Sequence, residues 1–309
     1  MKTLRVTLRP LSAFGTPLVG DTLFGHLCWA LLERRGESGL AALLDGYTEG
    51  RPALAVSDAF PHGLLPRPTA PDAELGVAVD ASARKARRRA RWLPADGAGS
   101  PVARWMEQAR AHEGADTALT TQNTIDRMTG TTGTGPFAPR QVERLAFRGD
   151  ARLDVYAAVD EDRLDAATLE QALADVGTMG YGRDASTGLG KFAVESIAEH
   201  RWRAAPTGYW LALAPCAPPG QGLDVAACRY LPVTRFGRHG SVAARSATPF
   251  KRPVLLAATG AMLVTVDASQ RAVIGSGLGG EAAPVSRAMP ATVHQGYAPV
   301  VPLNMEPHR

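Results

Sequence analysis

The chain has 309 residues, 45% of them apolar, enough for roughly two domains with packed cores; this excludes a disordered chain and a small disulfide scaffold. Its formal charge is +4, yet residues 84 to 91, RKARRRAR, hold six basic residues, and without them the balance is −2. Residues 206 to 309 add a second excess, nine basic against four acidic, so local basic patches are expected and a general polyanion-binding coat is not.

Leu4, Val6 and Leu8 alternate with Arg5, Thr7 and Arg9, the period of a half-buried strand. Asp21 and Thr22 offer N-cap oxygens to a helix that sets Leu23, Leu27, Leu31 and Cys28, Leu32 on one stripe, with Gly36 as its stop. ALAVSD, residues 53 to 58, reads as a second strand. Residues 61 to about 150 are rich in Pro, Gly, Thr and Arg, an irregular stretch too long for an ordinary connection and therefore an insertion. RLDVYAAV (152 to 159) is a third strand, Asp165 caps a helix with Leu169, Leu173 and Val176 inward, and KFAVESI (191 to 197) is the fourth strand. The order strand, helix, strand, strand, helix, strand is that of a ferredoxin-like or RRM-like unit. Its geometry brings the loop at 10 to 22, the insertion and the loop at 177 to 190 to one end. Residues 206 to 309 are more β-like, with YWLALAP, ACRYLPVTRF, PVLLAA, AMLVTV and YAPVVPL as candidate strands. The expected fold is α+β, with one domain over 1 to 205 and a second, degenerate domain over 206 to 309.

Cys28, Cys216 and Cys228 are widely spaced without a C-x-x-C, the usage of reduced thiols in the cytoplasm. MKTLRVTLRPL lacks a signal-peptide apolar run, and no window approaches the about eighteen apolar residues of a membrane span, so a soluble, untargeted protein is expected. The seven histidines show no H-x-H or H-E-x-x-H spacing, so neither a metal nor a cofactor is expected.

GTMGYGRDASTGLGK, residues 177 to 191, places glycines among Arg183, Ser186, Thr187 and Lys191. Such a loop lets amides approach phosphates while hydroxyls and cations complete the shell, although a flexible connection has the same composition. It is not a Walker A motif: Ala185 and Phe192 stand where Gly and Ser or Thr are required, and a strand follows. Gly275, Gly277 and Gly280 match G-x-G-x-x-G, but two prolines follow and no helical stripe, so they read as a turn. The octapeptide precedes Trp92, with Trp105 nearby; cations interleaved with aromatics suit RNA, and a solvated helix face is the alternative. TTQNTIDRMTGTTGTG, residues 120 to 135, reads as a loop or as a nest of hydroxyl and amide donors. His26, near the proposed active end, is a candidate general base or a partly buried helix residue.

TPLVGDTLFGHLCWAL, VSDAFPHGLLPRP, NTIDRMTGTTGTGPFAP, GTMGYGRDASTGLGKF, VTRFGRHG, FKRPVLL and HQGYAPVVPL, in this order over nearly the whole chain, closely resemble the fourth subunit of type III-A CRISPR (Csm) effector complexes, a Cas-five-like RAMP protein. The resemblance implies two ferredoxin-like domains, binding of the repeat-derived 5′ handle of the guide RNA (crRNA), and a link between the large polymerase-cyclase subunit and the backbone RAMP subunit. It implies that the chain is not the nuclease. Position by position, it carries RNA contact onto Gly180, Gly182, Arg183, Ser186, Thr187, Gly188, Gly190 and Lys191 of the glycine-rich loop, onto Asp21 and Thr22, and onto Asn123, Asp126, Arg127, Thr131 and Thr132. Arg84, Lys85 and Arg88 in the basic run fit a lysine-rich stretch of the family, as an accessory clamp. Arg235, Arg238, His239, Lys251 and Arg252 lie in family-like segments and would extend the RNA path into the second domain. The rival expectation is a metal-independent RAMP endoribonuclease that cuts CRISPR repeat RNA, with His26 as general base.

Overall fold

The computed structural model describes residues 1–77, 84–112, 114–203 and 207–305, without the side chains of residues 84, 88, 241 and 242. The first half runs β1 (Lys2–Pro10), α1 (Gly20–Leu44), β2 (Leu54–Val56), β3 (Phe60–Pro61), β4 (Leu64–Pro66), α2 (Arg84–Arg89), β5 (Trp92–Pro94), α3 (Val102–Met106), β6 (Ala115–Gln122), β7 (Arg140–Phe147), β8 (Leu153–Val159), α4 (Ala166–Met179) and β9 (Phe192–Glu199). Strands β2, β8, β1 and β9 lie side by side in that order, each pair antiparallel, with β3 also on β8. This is the ferredoxin-like arrangement. One face of the sheet carries Leu4, Val6, Leu8, Val155 and Ala157 against Leu23, Leu27 and Leu31 of α1 and Leu169, Leu173 and Val176 of α4. Asp165 caps α4 as its position predicts, its Oδ1 accepting from the Thr168 N–H at 2.8 Å.

Helix α1 departs from its expected limits at both ends. Val19 is the cap residue and offers no side-chain oxygen; instead Asp58 Oδ1 accepts from the Gly20 N–H at 2.8 Å. Asp21 and Thr22 therefore lie inside the first turn and do not cap it. Gly36 breaks the helix, with φ +70° and ψ −178°, but does not end it, because helical turns resume as far as Leu44.

The insertion is largely ordered, contrary to the irregular stretch its composition suggests. Phe60, Leu65, Leu93, Trp105 and Met106 form a second core with Tyr156 from the other face of β8 and with Leu211, Met262 and Val301. Both faces of β8 are thus covered, and all its residues are buried. Strands β6 and β7 pair over their full lengths, from Ala115 opposite Phe147 to Gln122 opposite Arg140. They escape a periodicity reading because their residues are mostly polar and half exposed.

The second half runs β10 (Tyr209–Ala212), β11 (Pro232–Arg235), β12 (Val254–Ala257), β13 (Met262–Val264), β14 (Val273–Gly275), β15 (Leu278–Gly279), β16 (Val293–His294) and β17 (Tyr297–Pro302). Strands β13, β10, β17 and β14 make a four-stranded antiparallel sheet, flanked by the ribbons β11–β12 and β15–β16. Among the described residues this half has no α-helix. The G-x-G-x-x-G glycines form a packed turn: a Cβ on Gly277 would sit 2.3 Å from the Tyr47 carbonyl oxygen.

The halves meet along β2. Gln295 stands in for a neighbouring strand there, accepting from the Val56 N–H at 2.9 Å and donating to the Val56 carbonyl at 2.8 Å. Among the described residues no helix is long and apolar enough to cross a membrane, and the three cysteines are unpaired.

Candidate nucleic-acid interface

The glycine-rich loop leaves α4 and returns into β9 beside the β1–α1 connection. The Gly190 N–H donates to the Ala13 carbonyl at 2.9 Å, the Lys191 N–H to Ser12 Oγ at 2.9 Å, and the Leu11 N–H to the Lys191 carbonyl at 2.8 Å. A Cβ on Gly190, where φ is +72°, would fall 2.0 Å from the Tyr181 carbonyl oxygen, so only glycine fits. Tyr181 itself is buried, its hydroxyl donating to the Pro17 carbonyl and accepting from the Val19 N–H at 3.0 Å. The loop thereby fixes the start of α1.

His26 is part of the same anchoring. Its Nε2 accepts from the Gly182 N–H at 3.3 Å, which requires the neutral Nδ1–H tautomer. Burial lowers its pKa from 6.5 to about 4, so it is uncharged at neutral pH. The atom a general base would use already receives a backbone hydrogen bond.

The inserted hairpin closes the other side. Phe14 and Leu145 exchange backbone hydrogen bonds at 2.9 Å, and Arg183 Nη2 donates to the Glu143 carbonyl at 2.6 Å. Leu119, Arg140, Gln141, Val142, Glu143, Arg183 and Asp184 line an open groove of about 560 Å³. The three segments expected at one end do converge there.

The loop is more internally bonded than an open phosphate nest. Within the hydrogen bonds of the described residues, the N–H groups of Gly180 to Arg183 and of Thr187 to Lys191, those of Gly182, Gly188 and Gly190 included, find acceptors inside the protein. The amides at the outward tip are those of Asp184, Ala185 and Ser186, where a single 3₁₀ turn spans Ala185–Thr187. Ser186, Thr187 and the half-exposed Arg183 surround that tip. Lys191 lies at the loop's base, Nζ donating to the Thr178 carbonyl at 3.1 Å.

Asn123, Arg127, Thr131 and Thr132 are exposed in the turn between β6 and β7. That turn is closed by the Asp126 N–H to the Thr131 carbonyl at 3.0 Å and the Gly130 N–H to the Asp126 carbonyl at 2.8 Å. The basic octapeptide lies in a different neighbourhood. Arg87 faces Asp72 at 3.6 Å, and Ala86 and Arg87 line a hollow with Met106 and Glu107 of the second core. Lys85 is exposed, while the side chains of Arg84 and Arg88 lie outside the described residues. Trp105 is core, its Nε1 donating to the Pro94 carbonyl, and Trp92 packs on Phe60.

Asp21 and Thr22 turn toward the second half. Arg235 donates to both Asp21 oxygens at 2.7 and 2.8 Å and to Thr22 Oγ1 at 2.9 Å, and His294 Nε2 stands 3.3 Å from Asp21 Oδ2. Burial alone would raise the Asp21 pKa, but His294 and Arg235 overcome it and hold the carboxyl well below its usual range. His239 is also turned inward, on Ser286 at 2.7 Å, and Lys251 is partly buried, its pKa lowered by burial. Arg238 and Arg252 are exposed. Of the cations expected to carry RNA across the second half, these two face solvent, Arg235 and His239 bond inward, and Lys251 is partly buried.

Asp58 also joins the seam. Its carboxylate accepts from the Gly20 N–H and from Thr259 Oγ1, and burial raises its pKa from 3.8 to about 7 despite both hydrogen bonds. The only sequence signal is an aspartate directly after an apolar strand. Among the described residues, no group of three or more His, Cys, Asp or Glu is placed to hold a metal ion.

No protein-family model matches the sequence, and no curated relative does. Solved structures match over the whole length. A chain of the Csm1-Csm4 cassette in complex with cA4 superposes with a TM-score of 0.63 at 17% identity, covering 100% of both chains. The cassette in complex with AMPPNP gives 0.60 at 18%, again over 100% of both. A chain of the Csm3-Csm4 subcomplex in the type III-A CRISPR-Cas interference complex gives 0.58 at 12%, covering 98% of this chain and 100% of that one. Csm4 is the subunit common to these assemblies. The fold is Csm4-like.

Proposed function

We propose that this chain is a cytoplasmic, non-catalytic subunit of a type III-A CRISPR interference complex, and that it grips the 5′ handle of the guide RNA. It also joins the large polymerase-cyclase subunit to the backbone subunits. The full-length likeness to chains of Csm1-Csm4 and Csm3-Csm4 assemblies supports the subunit assignment. The observation that carries the RNA reading is the meeting of the glycine-rich loop and the β6–β7 hairpin at one groove, tied by Arg183, with the β1–α1 connection bonded to both. The loop's internal bonding makes it a rigid rim, with tip amides, hydroxyls and a guanidinium available to a sugar-phosphate backbone. Engagement of His26 Nε2 by Gly182 favours a gripping role over the endoribonuclease alternative.

The test is ultraviolet crosslinking of the assembled complex on guide RNA. Handle nucleotides are expected to crosslink to the peptide 183–191. Replacing Arg183 and Lys191 together by Gln should flatten the log-log salt dependence of handle binding by about 1.4, from about 0.7 per single-strand phosphate. Handle crosslinks confined to other subunits, with an unchanged salt slope, would sink the reading. Site-specific cleavage of repeat RNA in EDTA that His26→Ala abolishes would replace it with the endoribonuclease.

A further inference from the structure

The ribbon β11–β12 continues beyond its ladder into a second pairing. Arg238 stands opposite Phe250, the Lys251 N–H donates to the Gly237 carbonyl at 2.8 Å, and the His239 N–H donates to the Pro249 carbonyl at 2.9 Å. Side chains alternate along each strand and opposed residues share a face. Arg235 and His239 therefore point inward, to Asp21 and Ser286. Phe236, Arg238, Phe250 and Arg252 share the outer face. Phe236 is 75% and Phe250 66% exposed, and the Arg238 guanidinium carbon lies 5.7 Å from the Phe250 ring centroid.

Two aromatic rings held this far into water by an anchored ribbon are costly, and the Arg238 contact on Phe250 covers only one of them. The charge around them points to what covers them. Between Asp224 and Asp267 the sequence has six basic residues and no acidic one; Arg229 and Arg235 are paired with Glu74 and Asp21, while Arg238, Arg245 and Arg252 are exposed. Exposed rings alternating with guanidiniums, without a carboxylate, match a single-stranded nucleic acid, whose bases stack on rings while its phosphates meet cations.

We propose that the outer face of this ribbon is a stacking platform for unpaired nucleobases of bound RNA, with Phe236 and Phe250 as stacking residues and Arg238 and Arg252 meeting the flanking phosphates. The proposal rests on the guide-RNA reading above. Inner-face contacts of Arg235 and His239 anchor the ribbon that carries the rings, so little backbone order is lost when a base arrives.

The experiment measures binding of the full chain to a fluorescein-labelled octamer of uridine and to an abasic ribose-phosphate oligomer of equal length, by anisotropy. The base-bearing octamer is expected to bind about tenfold tighter. Phe236→Leu with Phe250→Leu, which keeps apolar bulk and removes the rings, should erase that margin and leave abasic binding and salt slope unchanged. Arg238→Gln with Arg252→Gln should weaken both oligomers alike. A margin that persists in the leucine variant overturns the platform. If Lys191→Gln still weakens binding in that case, the guide-RNA reading stands without it, whereas no binding of either oligomer overturns both. A leucine variant that binds RNA normally but no longer co-purifies with partner subunits assigns the face to a protein contact, and the platform fails.

Discussion

Asp21 shows how a residue expected at a helix cap comes to tie the two halves of the chain together. Its side chain is 2% exposed and that of Arg235 28%, so the fork is only partly open to solvent. Removing one member leaves the other charge under-compensated. Asp21→Asn is expected to lower unfolding free energy by about 3 kcal/mol in urea titrations, and Arg235→Lys, which keeps charge but loses the fork, by about 1.5 kcal/mol. No loss in Arg235→Lys would mean that charge alone matters and the fork does not. His26 and Asp58 give the residue scale a pH signature. Because burial lowers the His26 pKa from 6.5 to about 4, the unfolded chain binds more protons between those values, and stability from this group rises with pH across them. Asp58 acts in the opposite sense: burial raises it from 3.8 to about 7, so its contribution is whole below pH 3.8 and is lost as pH rises to 7. The two slopes oppose one another in the wild type. Asp58→Asn removes the falling one, so the Tm difference between variant and wild type should become more positive from pH 4.5 to 7.5. A difference independent of pH would show that Asp58 does not titrate in this range.

Among the elements, α1 is broken at Gly36, whose φ of +70° with ψ of −178° belongs to a region only glycine enters readily. A Cβ there would meet nothing within 4 Å, so Gly36→Ala isolates the backbone cost, about 1–3 kcal/mol by chemical denaturation. The turn of the β6–β7 hairpin is the converse case. Ile125 and Met128 are 57% and 93% exposed and add nothing to either core. Replacing residues 123–139 by Asn-Gly should leave Tm within about 2 °C, since surface changes cost little, while handle binding weakens; a large Tm loss would make the hairpin structural. The first domain is legible because local rules specify it: period-two alternation in β1, the Asp165 cap, and the leucine stripe of α4. The limits of α1 are not, because Asp58, distant in sequence, supplies the cap that Asp21 seemed placed to give. Pairings in the second half depend on contacts such as Trp210 with Pro302, which no local pattern encodes. At the interface, the glycine-rich loop stands out by composition. Which cations face outward in VTRFGRHG is fixed by a ribbon register invisible in one dimension.

At the scale of the molecule, the opening charge count looks different once side chains have neighbours. The basic octapeptide flanks the second core, and part of the excess in residues 206 to 309 is engaged at the seam, where Arg235 neutralises Asp21. That seam also sets how the chain unfolds. Gln295 is fully buried and satisfies both backbone groups of Val56, Tyr297 donates to the Tyr47 carbonyl at 2.9 Å, and the second core takes residues from both sheets. The two halves are therefore expected to melt as one cooperative unit, although each has its own sheet. Gln295→Ala leaves the Val56 N–H and carbonyl unpaired at a buried sheet edge and should cost about 3 kcal/mol, since each buried orphan group costs about 1–3 kcal/mol. Urea unfolding followed in parallel by far-ultraviolet circular dichroism and tryptophan fluorescence checks both points. Trp210 lies in the second sheet and Trp105 in the shared core, so coincident transitions in wild type and variant report a single unit. Fluorescence that falls before the dichroism would mean that the second sheet unfolds alone, and that the seam couples the halves less strongly than Gln295, Asp58 and Arg235 imply.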